Sequence, residues 1–506
     1  MLTDTAYEDL RLSFWPRVRE FAVPPSMIET ATARRRAGDW AGACAAAGVD
    51  VDLDLRSLAR TRGRDLAAQV RADLRHLAPD LLRWHMPRIA PHGLLRPGLT
   101  IALTRYDAVE RDGPGTRDSP GTVCLVVRTA PAWADAGQRI SLALWDGSHA
   151  DADARRHPHP RPNRRFRLDL HRHLWDARRS DELRVRSGAD RPAGEGLPSV
   201  TAGEGLPSLT AGEVLPWLTA GEGLALVNPD VPELEPVPWD PRCAVDRWAA
   251  EARILLRAEG RSTGTVAVRV GSGQRLLLDL VADGEGPGSH GFTVAVAPTK
   301  GATAALPVLP DAATWTLPDL ELIRSGSIEL DQLHPLVASA LAPDHSPAGP
   351  FRTRERAPTL PGQPHLVECR GEQHRIGLVD GVLSPLDHDP GEIRREELLA
   401  ELTGTPLPCL QTIDTAHRHP DCLTGVRERL HHGDIAGALA VVEGLLGPDA
   451  LLRDGALRDE LEKAARRRVT YGLFRADLVG PGPGRVRPSL PRPPGHRSHP
   501  RHTTGR

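Results

Sequence analysis

Lysine is nearly missing from this sequence of 506 residues, and aromatic residues make up only 4% of it. Lys300 and Lys463 are the only lysines among 64 basic residues, so almost all the basic side chains are arginines. Together with 47 prolines and 48 glycines, this bias indicates a GC-rich genome. A single arginine is therefore weak support for phosphate or carboxylate chemistry, although its guanidinium group suits both.

Three further shortages exclude classes of protein. The formal net charge of −2 gives no general attraction to nucleic acid or to an anionic membrane. The six cysteines are scattered without a CxxC pair, which argues against a disulfide framework or a cysteine-rich zinc site. No run approaches 18 apolar residues and the N-terminus has no apolar signal region, so we expect a cytoplasmic protein without a membrane partner.

Complete catalytic and cofactor motifs are lacking as well. No Walker A, GxSxG, SxxK or HExxH pattern occurs. Residues 286–291 match GxGxxG, but a predicted strand follows them where a phosphate-binding loop needs a helix. Asp50, Asp52 and Asp54 have the spacing of a calcium loop without its glycine and its final glutamate. The sequence therefore predicts no catalytic residue and no cofactor.

Two regions are predicted before residue 187. Residues 1–95 are expected to be helical: Ser26 and Glu29 fit a capping box, Gly38 ends that helix, and Asp39 begins the next one. In residues 96–186 the apolar period changes to two, which predicts an antiparallel meander of three strands followed by a basic segment. Residues 166–170 are a candidate fourth strand.

Residues 187–240 contain a nine-residue phrase repeated four times, beginning AGEGLPSVT at Ala193. The period is too short for a helical repeat, and the phrase lacks the aspartates of a calcium-binding β-roll. Segments so rich in glycine and proline bury too little apolar surface to offset their ordering entropy. We interpret this segment as a low-complexity linker, with a binding tether as the alternative.

The second half of the chain nearly repeats the plan of the first. We predict an α+β region at 241–345, in which a helix from Leu320 to Leu341 follows a meander, and then a loop with a small β unit at 346–390. A helical region covers 391–479, and a disordered, basic, proline-rich tail covers 480–506. The expected fold class is α+β, with helical hairpins at both ends and two globular parts joined by the linker.

One short phrase occurs near each end of the chain. GDWAGA at 38–43 and GDIAGA at 433–438 differ at one position, and each lies where a glycine ends one helix and an aspartate begins the next. The phrase resembles the elbow of tetratricopeptide-like helical hairpins, without the 34-residue period of that family.

Histidines and cysteines give few metal candidates. His417, Cys422 and His431 are the set that sequence proximity favours for zinc, although a surface turn explains the histidines equally well. Cys369 lies close to His374 and is the least implausible thiol–imidazole pair. A buried structural cysteine is the favoured interpretation of Cys369.

The strongest charge feature is the basic segment 155–191, which holds twelve arginines and five acidic residues. Aromatic residues interrupt it, and this combination suits single-stranded nucleic acid or an acidic protein partner. A solvated basic face is the simpler alternative. The candidate interaction residues are Arg164, Arg165, Arg167, Arg172 and Trp175.

Two longer phrases, LHPLVASALAP (333–343) and HRIGLVDGVLSPLDHD (374–389), together with the elbow at 433–438, resemble a family of uncharacterised proteins of high-GC bacteria. The resemblance implies no assigned activity. It implies only that such proteins accompany ATPase or von Willebrand-type partners.

From these observations we expect a non-enzymatic interaction or adaptor component of a cytoplasmic assembly, with a protein partner. The first alternative is a nucleic-acid-binding protein that uses the 155–191 segment. The second is an enzyme with its site at the junction of the two globular parts.

Overall fold

The computed structural model describes residues 14–106, 122–134, 138–147, 157–190, 200–202, 242–270, 275–280, 292–296, 305–345, 365–369, 371–379, 382–403, 408–410, 413, 423–446, 452 and 454–478. These residues form a mixed α+β structure, as the sequence predicts. No described helix is both long enough and apolar enough to cross a membrane.

The helices are α1 (14–21), α2 (Pro25–Arg36), α3 (Trp40–Ala46), α4 (Leu55–Thr61), α5 (Arg64–His76), α6 (Pro79–His85), α7 (Glu182–Ser187), α8 (Val245–Ala258), α9 (Asp311–Thr314), α10 (Pro318–Arg324), α11 (Pro335–Leu341), α12 (Pro390–Thr403), α13 (Leu423–His432), α14 (Ile435–Leu446) and α15 (Ala456–Arg475). The strands are β1 (Val49–Val51), β2 (Arg88–Ile89), β3 (Leu94–Leu95), β4 (Thr100–Tyr106), β5 (Val123–Thr129), β6 (Ile140–Trp145), β7 (Val200–Ala202), β8 (Gly264–Arg269), β9 (Arg275–Leu280), β10 (Phe292–Val296), β11 (His365–Cys369), β12 (Glu372–Val379) and β13 (Val382–Pro385).

The predicted meander in the first half is present and gains a strand from the helical region. Strands β4, β5 and β6 pair antiparallel, and β1 joins the edge in parallel to β6, so the order is β1-β6-β5-β4. Every residue of β5 is buried, which fits its β-branched, apolar sequence VCLVVRT. The candidate fourth strand at 166–170 is not formed. Arg167 alone makes a parallel bridge to Ala102.

The second half repeats this topology. Strands β8, β9 and β10 pair antiparallel, as predicted, and β7 joins β10 in parallel, so the order is β7-β10-β9-β8. β7 spans the last two residues of the first copy of the nine-residue phrase and the first residue of the second, so the segment predicted as a linker contains a strand of the sheet. The rest of that phrase, and the GxGxxG match at 286–291, lie outside the described residues.

The chain leaves both sheets in the same way. Ala102 bridges Arg167 in the first half, and Ala267 bridges Val308 in the second, both in parallel. After each bridge the chain forms one helical turn, at Arg172–Leu174 or in α9, and then a short helix, α7 or α10. Each of these short helices is followed within two residues by a left-handed glycine in the shared sequence RSG. We call residues 49–188 unit A and residues 200–326 unit B. Their equivalent topology indicates that the chain contains an internal structural repeat.

The two elbows have the same hydrogen bonds. Asp39 accepts from the Gly42 amide at 2.8 Å, and Asp434 accepts from the Gly437 amide at 2.9 Å. Arg34 and Arg429, five residues earlier, hold these carboxylates at 3.0 and 2.8 Å. The predicted elbows are therefore confirmed as helix–turn–helix joints with one capping arrangement.

Two predicted helix details are wrong. Ser26 does not cap α2, which begins after Pro24 without a side-chain cap. The single helix expected from Leu320 to Leu341 is divided, because Gly326 adopts a left-handed conformation and the Ser327 amide closes the turn on Leu322. α11 then begins at Pro335, with the His334 side chain as its cap.

The C-terminal helices pack on the N-terminal half. Arg83, on α6, donates to the carbonyls of Ala22, which follows α1, and of His432, which ends α13. In α15, Tyr471 hydrogen-bonds to Asp50 and Arg475 pairs with Asp52. These two aspartates, which the sequence placed in a calcium-like spacing, therefore bind side chains of α15. Asp54 caps α4.

Candidate functional site

Two of the four arginines that the sequence singled out, Arg165 and Arg167, form ion pairs between the two units. Arg165 donates to Asp311 at 2.5 Å, and Arg167 donates to Glu259 at 2.8 Å. Both contacts connect unit A to unit B. Arg164 is exposed and lines a different cavity beside β5 and α8. Part of the predicted basic face is thus the contact between the repeats.

Trp175 lies in the interior of unit A, and Arg172 is half-buried beside it. Arg172 donates to Asp73 at 2.5 Å and to Asp176 at 3.0 Å, and its guanidinium lies 4.7 Å from the centre of the Trp175 ring. The indole is fully buried and donates to the Leu168 carbonyl. A buried indole offers no face on which a base can stack.

A cleft of about 260 Å³ lies where unit A meets unit B. Side chains of α1, α6, α7, α8 and the segment before α10 surround it. Eight arginines line it: Arg19, Arg88, Arg96, Arg165, Arg167, Arg186, Arg242 and Arg247. Asp311 and Glu321 are the only acidic residues in that lining. Four of these arginines, Arg19, Arg165, Arg167 and Arg186, already pair with carboxylates of the protein.

Among these cations, Arg88 has a buried nitrogen without a hydrogen-bond partner and a strongly lowered pKa. It donates to the carbonyls of Arg83 and Gly93, and its Nε is buried without a partner. Burial, together with the nearby charges of Arg83 and Arg19, holds the pKa of Arg88 well below its ordinary value. A partly buried cation close to other cations is costly, and an anion placed beside it relieves that cost.

Arg19 lies between two indole rings at the floor of the cleft. Its guanidinium carbon is 4.9 Å from the ring centre of Trp15 and 4.4 Å from that of Trp84. It donates to Asp319 at 2.8 Å, while Asp319 also accepts from the Trp84 indole at 3.1 Å. Arg19 Nε is buried without a hydrogen-bond partner.

Two neutral imidazoles complete the polar wall. His173 is 4% exposed, and its Nδ1 has no partner. His85 Nε2 is likewise buried without a partner. Burial and the surrounding cations lower the pKa of both histidines well below the usual value, so both stay neutral at physiological pH. Each can donate or accept a hydrogen bond without adding charge.

Aromatic rings supply the apolar part of the lining: Phe14, Trp15, Trp84, Phe166 and Trp315. Fixed cations beside flat apolar walls suit a small anion with a planar or hydrophobic body. No cysteine lies among these lining residues, which come from the described part of the chain.

The other sequence candidates lie away from the cleft. His417 and Cys422 are outside the described residues, so the proposed zinc set with His431 remains a prediction. His431 lies on α13 and packs edge-on against His92, with 6.3 Å between ring centres. Cys369 is buried beside Cys409, and His374 stacks on His388 at 4.3 Å.

Only some of the residues that line this cleft can be predicted from the sequence. Arg165 and Arg167 were named and do line it. Arg19, His85 and Arg88 were not, because they lie far from residue 155 and belong to no motif. His173 belongs to a cluster of histidines within the basic segment, and its sequence neighbours gave no sign that it is buried. The cleft requires the two units to meet, and that contact is not local in sequence.

Comparison with protein-family models finds no matching family, and comparison with curated proteins and with solved structures finds no significant match.

Proposed function

We propose that this protein is a non-enzymatic interaction component whose cleft between units A and B binds a small organic anion. The observation that carries the proposal is Arg88, whose Nε is buried without a hydrogen-bond partner and whose pKa is lowered by burial and by the nearby cations Arg83 and Arg19. A ligand carboxylate or phosphate supplies the missing negative charge, and charge-assisted hydrogen bonds to arginine favour both groups.

The aromatic walls select the body of the ligand. Trp15, Trp84 and Phe166 surround the same space as the cations. Burial of apolar surface adds about 25 cal/mol per Å² to binding. Phenyl phosphate, which joins a ring to a dianion, is therefore expected to bind more tightly than inorganic phosphate.

Titration calorimetry on the full chain tests this proposal with both probes. We expect one saturable site for phenyl phosphate, weaker binding of inorganic phosphate, and a loss of about tenfold or more in Arg88→Met, since charged hydrogen bonds contribute about 1.5–3 kcal/mol. Arg324→Met is the matched control, because Arg324 is exposed on α10 and does not line the cleft. Equal binding by wild type and Arg88→Met, or no binding by wild type, overturns the proposal.

The proposed binding of a partner protein involves surfaces outside the cleft. Helical hairpins at both ends of the chain support it, because such hairpins offer rigid faces for a partner protein. Affinity purification of the full chain is expected to recover one stoichiometric protein partner that nuclease treatment does not remove. Recovery of the chain alone contradicts the adaptor role and leaves the ligand site to be judged by calorimetry.

The nucleic-acid alternative has less support. Arg165, Arg167, Arg172 and Arg186 all have carboxylate partners within the protein, so a phosphate backbone has to compete with them. If nucleic acid binds the 155–191 segment, the affinity falls steeply with salt. A flat salt titration removes this alternative.

A further inference from the structure

A second cluster of side chains lies in the small β unit, far from the cleft residues in sequence. Cys369 ends β11, His388 follows β13, and Cys409 lies in the short helical turn 408–410. One ligand atom from each residue lies within 4.8 Å of the other two. Three separate segments of chain thus bring two sulfurs and one ring nitrogen together.

The burial of this cluster separates it from a chance surface grouping. Cys369 and Cys409 are fully buried, and the His388 side chain is 5% exposed. His388 Nε2 has no hydrogen-bond partner, although it is buried. A buried imidazole nitrogen without a partner is costly in a protein interior, so this nitrogen is suited to a ligand.

The second ring nitrogen of His388 lies near a carboxylate, the kind of neighbour that metal-bound histidines usually have. His388 Nδ1 lies 3.6 Å from the Glu392 carboxylate on α12. This separation is longer than a hydrogen bond, but a carboxylate near the second ring nitrogen makes an imidazole a stronger metal ligand. The flat ring of His374 stacks on His388 and restricts its rotation.

The local core is small and depends on these residues. Among the described residues, the hydrophobic cluster of the β unit has four buried members: Cys369, Ile376, Cys409 and Ile413. Two of them are the cysteines themselves. So small a core rarely holds a β unit alone, and small units commonly gain stability from a structural metal.

We propose that Cys369, His388 and Cys409 bind a zinc ion that joins the β unit to the segment leading into the C-terminal helices. Two thiolates and one imidazole form the donor set that favours Zn²⁺ over Mg²⁺ or Ca²⁺. A water molecule or an external ligand takes the fourth position. On binding, each thiol loses its proton to solvent and the metal charge stabilises the resulting thiolate.

Burial and the neighbouring Cys369 thiol raise the pKa of Cys409 to about 11. Zinc therefore has to compete with protons, and its affinity rises with pH as the thiols release them. The adjacent sulfurs also permit a Cys369–Cys409 disulfide, which is the competing outcome of the test.

Metal analysis of the full chain, purified under reducing conditions with zinc present, tests the proposal. We expect about one zinc per chain in the wild type, and under about a tenth of that in Cys369→Ser, Cys409→Ser and His388→Gln. Cys243→Ser is the matched control, since Cys243 lies in unit B outside the cluster, and it is expected to keep the metal.

Wild-type protein alone provides a second test that does not depend on how the variants fold. Zinc removed by a chelator and then replaced by Co²⁺ is expected to give the near-ultraviolet thiolate-to-cobalt band and the visible bands of a tetrahedral site. Absence of stoichiometric metal, cobalt spectra without thiolate bands, metal retained in all three cluster variants, or a Cys369–Cys409 disulfide in the reduced preparation each overturns the proposal.

Discussion

At the scale of single residues, the buried ion pair Arg19–Asp319 connects α1 to α10. Both side chains are at most 2% exposed, and Asp319 also accepts from the Trp84 indole. Removal of one partner leaves a buried charge without compensation, which costs far more than the pair contributes as a whole.

We therefore expect Asp319→Asn to lower the free energy of unfolding by about 3–5 kcal/mol, measured by urea denaturation. Asp331→Asn is the control, because Asp331 pairs with His345 at the surface and such pairs contribute about 1 kcal/mol or less. Equal losses in the two variants contradict this view of the Arg19 contact.

At the scale of elements, each of the two elbows requires a glycine beside the aspartate that caps its second helix. A Cβ added at Gly437 would lie 2.1 Å from Asp434 Oδ2, and one added at Gly42 would meet Asp39 at the same distance. Alanine at these positions has to displace the capping carboxylate. The usual gain of about 0.5–1 kcal/mol from replacing a helical glycine is thus reversed.

Gly437→Ala is expected to destabilise the protein by about 1 kcal/mol, the typical value of a lost helix cap, in urea denaturation. Gly472→Ala on α15 is the matched control, since nothing lies within 4 Å of its added Cβ, and it is expected to stabilise. If both alanines stabilise, the capping account of the elbow is wrong.

Local signals explain which elements the sequence could predict. Asp39 and Asp434 cap helices beside glycines, and the apolar alternation of β8 and β9 defines a hairpin. Ser26 was misassigned because Pro24 and Pro25 already begin α2 without a polar cap. The parallel partners β1 and β7 were missed because each has only three residues and its pairing partner lies about 90 residues away.

At the scale of the whole molecule, burial of several histidines makes stability depend on pH. Burial and the nearby cations lower the pKa of His432 to about 2, and burial lowers the pKa of His85, His171 and His173 well below the usual value. Below about pH 6.5 the unfolded chain binds protons at these residues and the folded chain does not. Stability therefore falls as the pH falls.

We expect the free energy of unfolding to decrease between pH 7 and pH 5, by up to about 1.4 kcal/mol per pH unit for each such histidine below its unfolded pKa. His432→Gln is expected to reduce this dependence on pH by the contribution of one histidine, up to about 1.4 kcal/mol per pH unit. Carboxylates with lowered pKa values titrate below this window and do not contribute. An unfolding free energy that stays constant from pH 7 to pH 5 contradicts the prediction.

The sequence predicts a similar order of helices and strands in the two halves of the chain, but it does not predict the strand pairing that makes units A and B a repeat. The order of helices and strands indicated it, whereas the bridges from Ala102 to Arg167 and from Ala267 to Val308 established it. The cleft follows from this arrangement, since its cations belong to α1, to the segment after α6, and to both units. Only the folded chain brings Arg19, Arg88 and Arg186 together.

The position of a bound anion tests the central claim most directly. A crystal structure of the full chain grown with phenyl phosphate is predicted to place the phosphate within hydrogen-bond distance of Arg88, with the ring against Trp15 or Phe166. Phosphate found only at surface arginines, with the space between the two units still filled by solvent, would contradict the account.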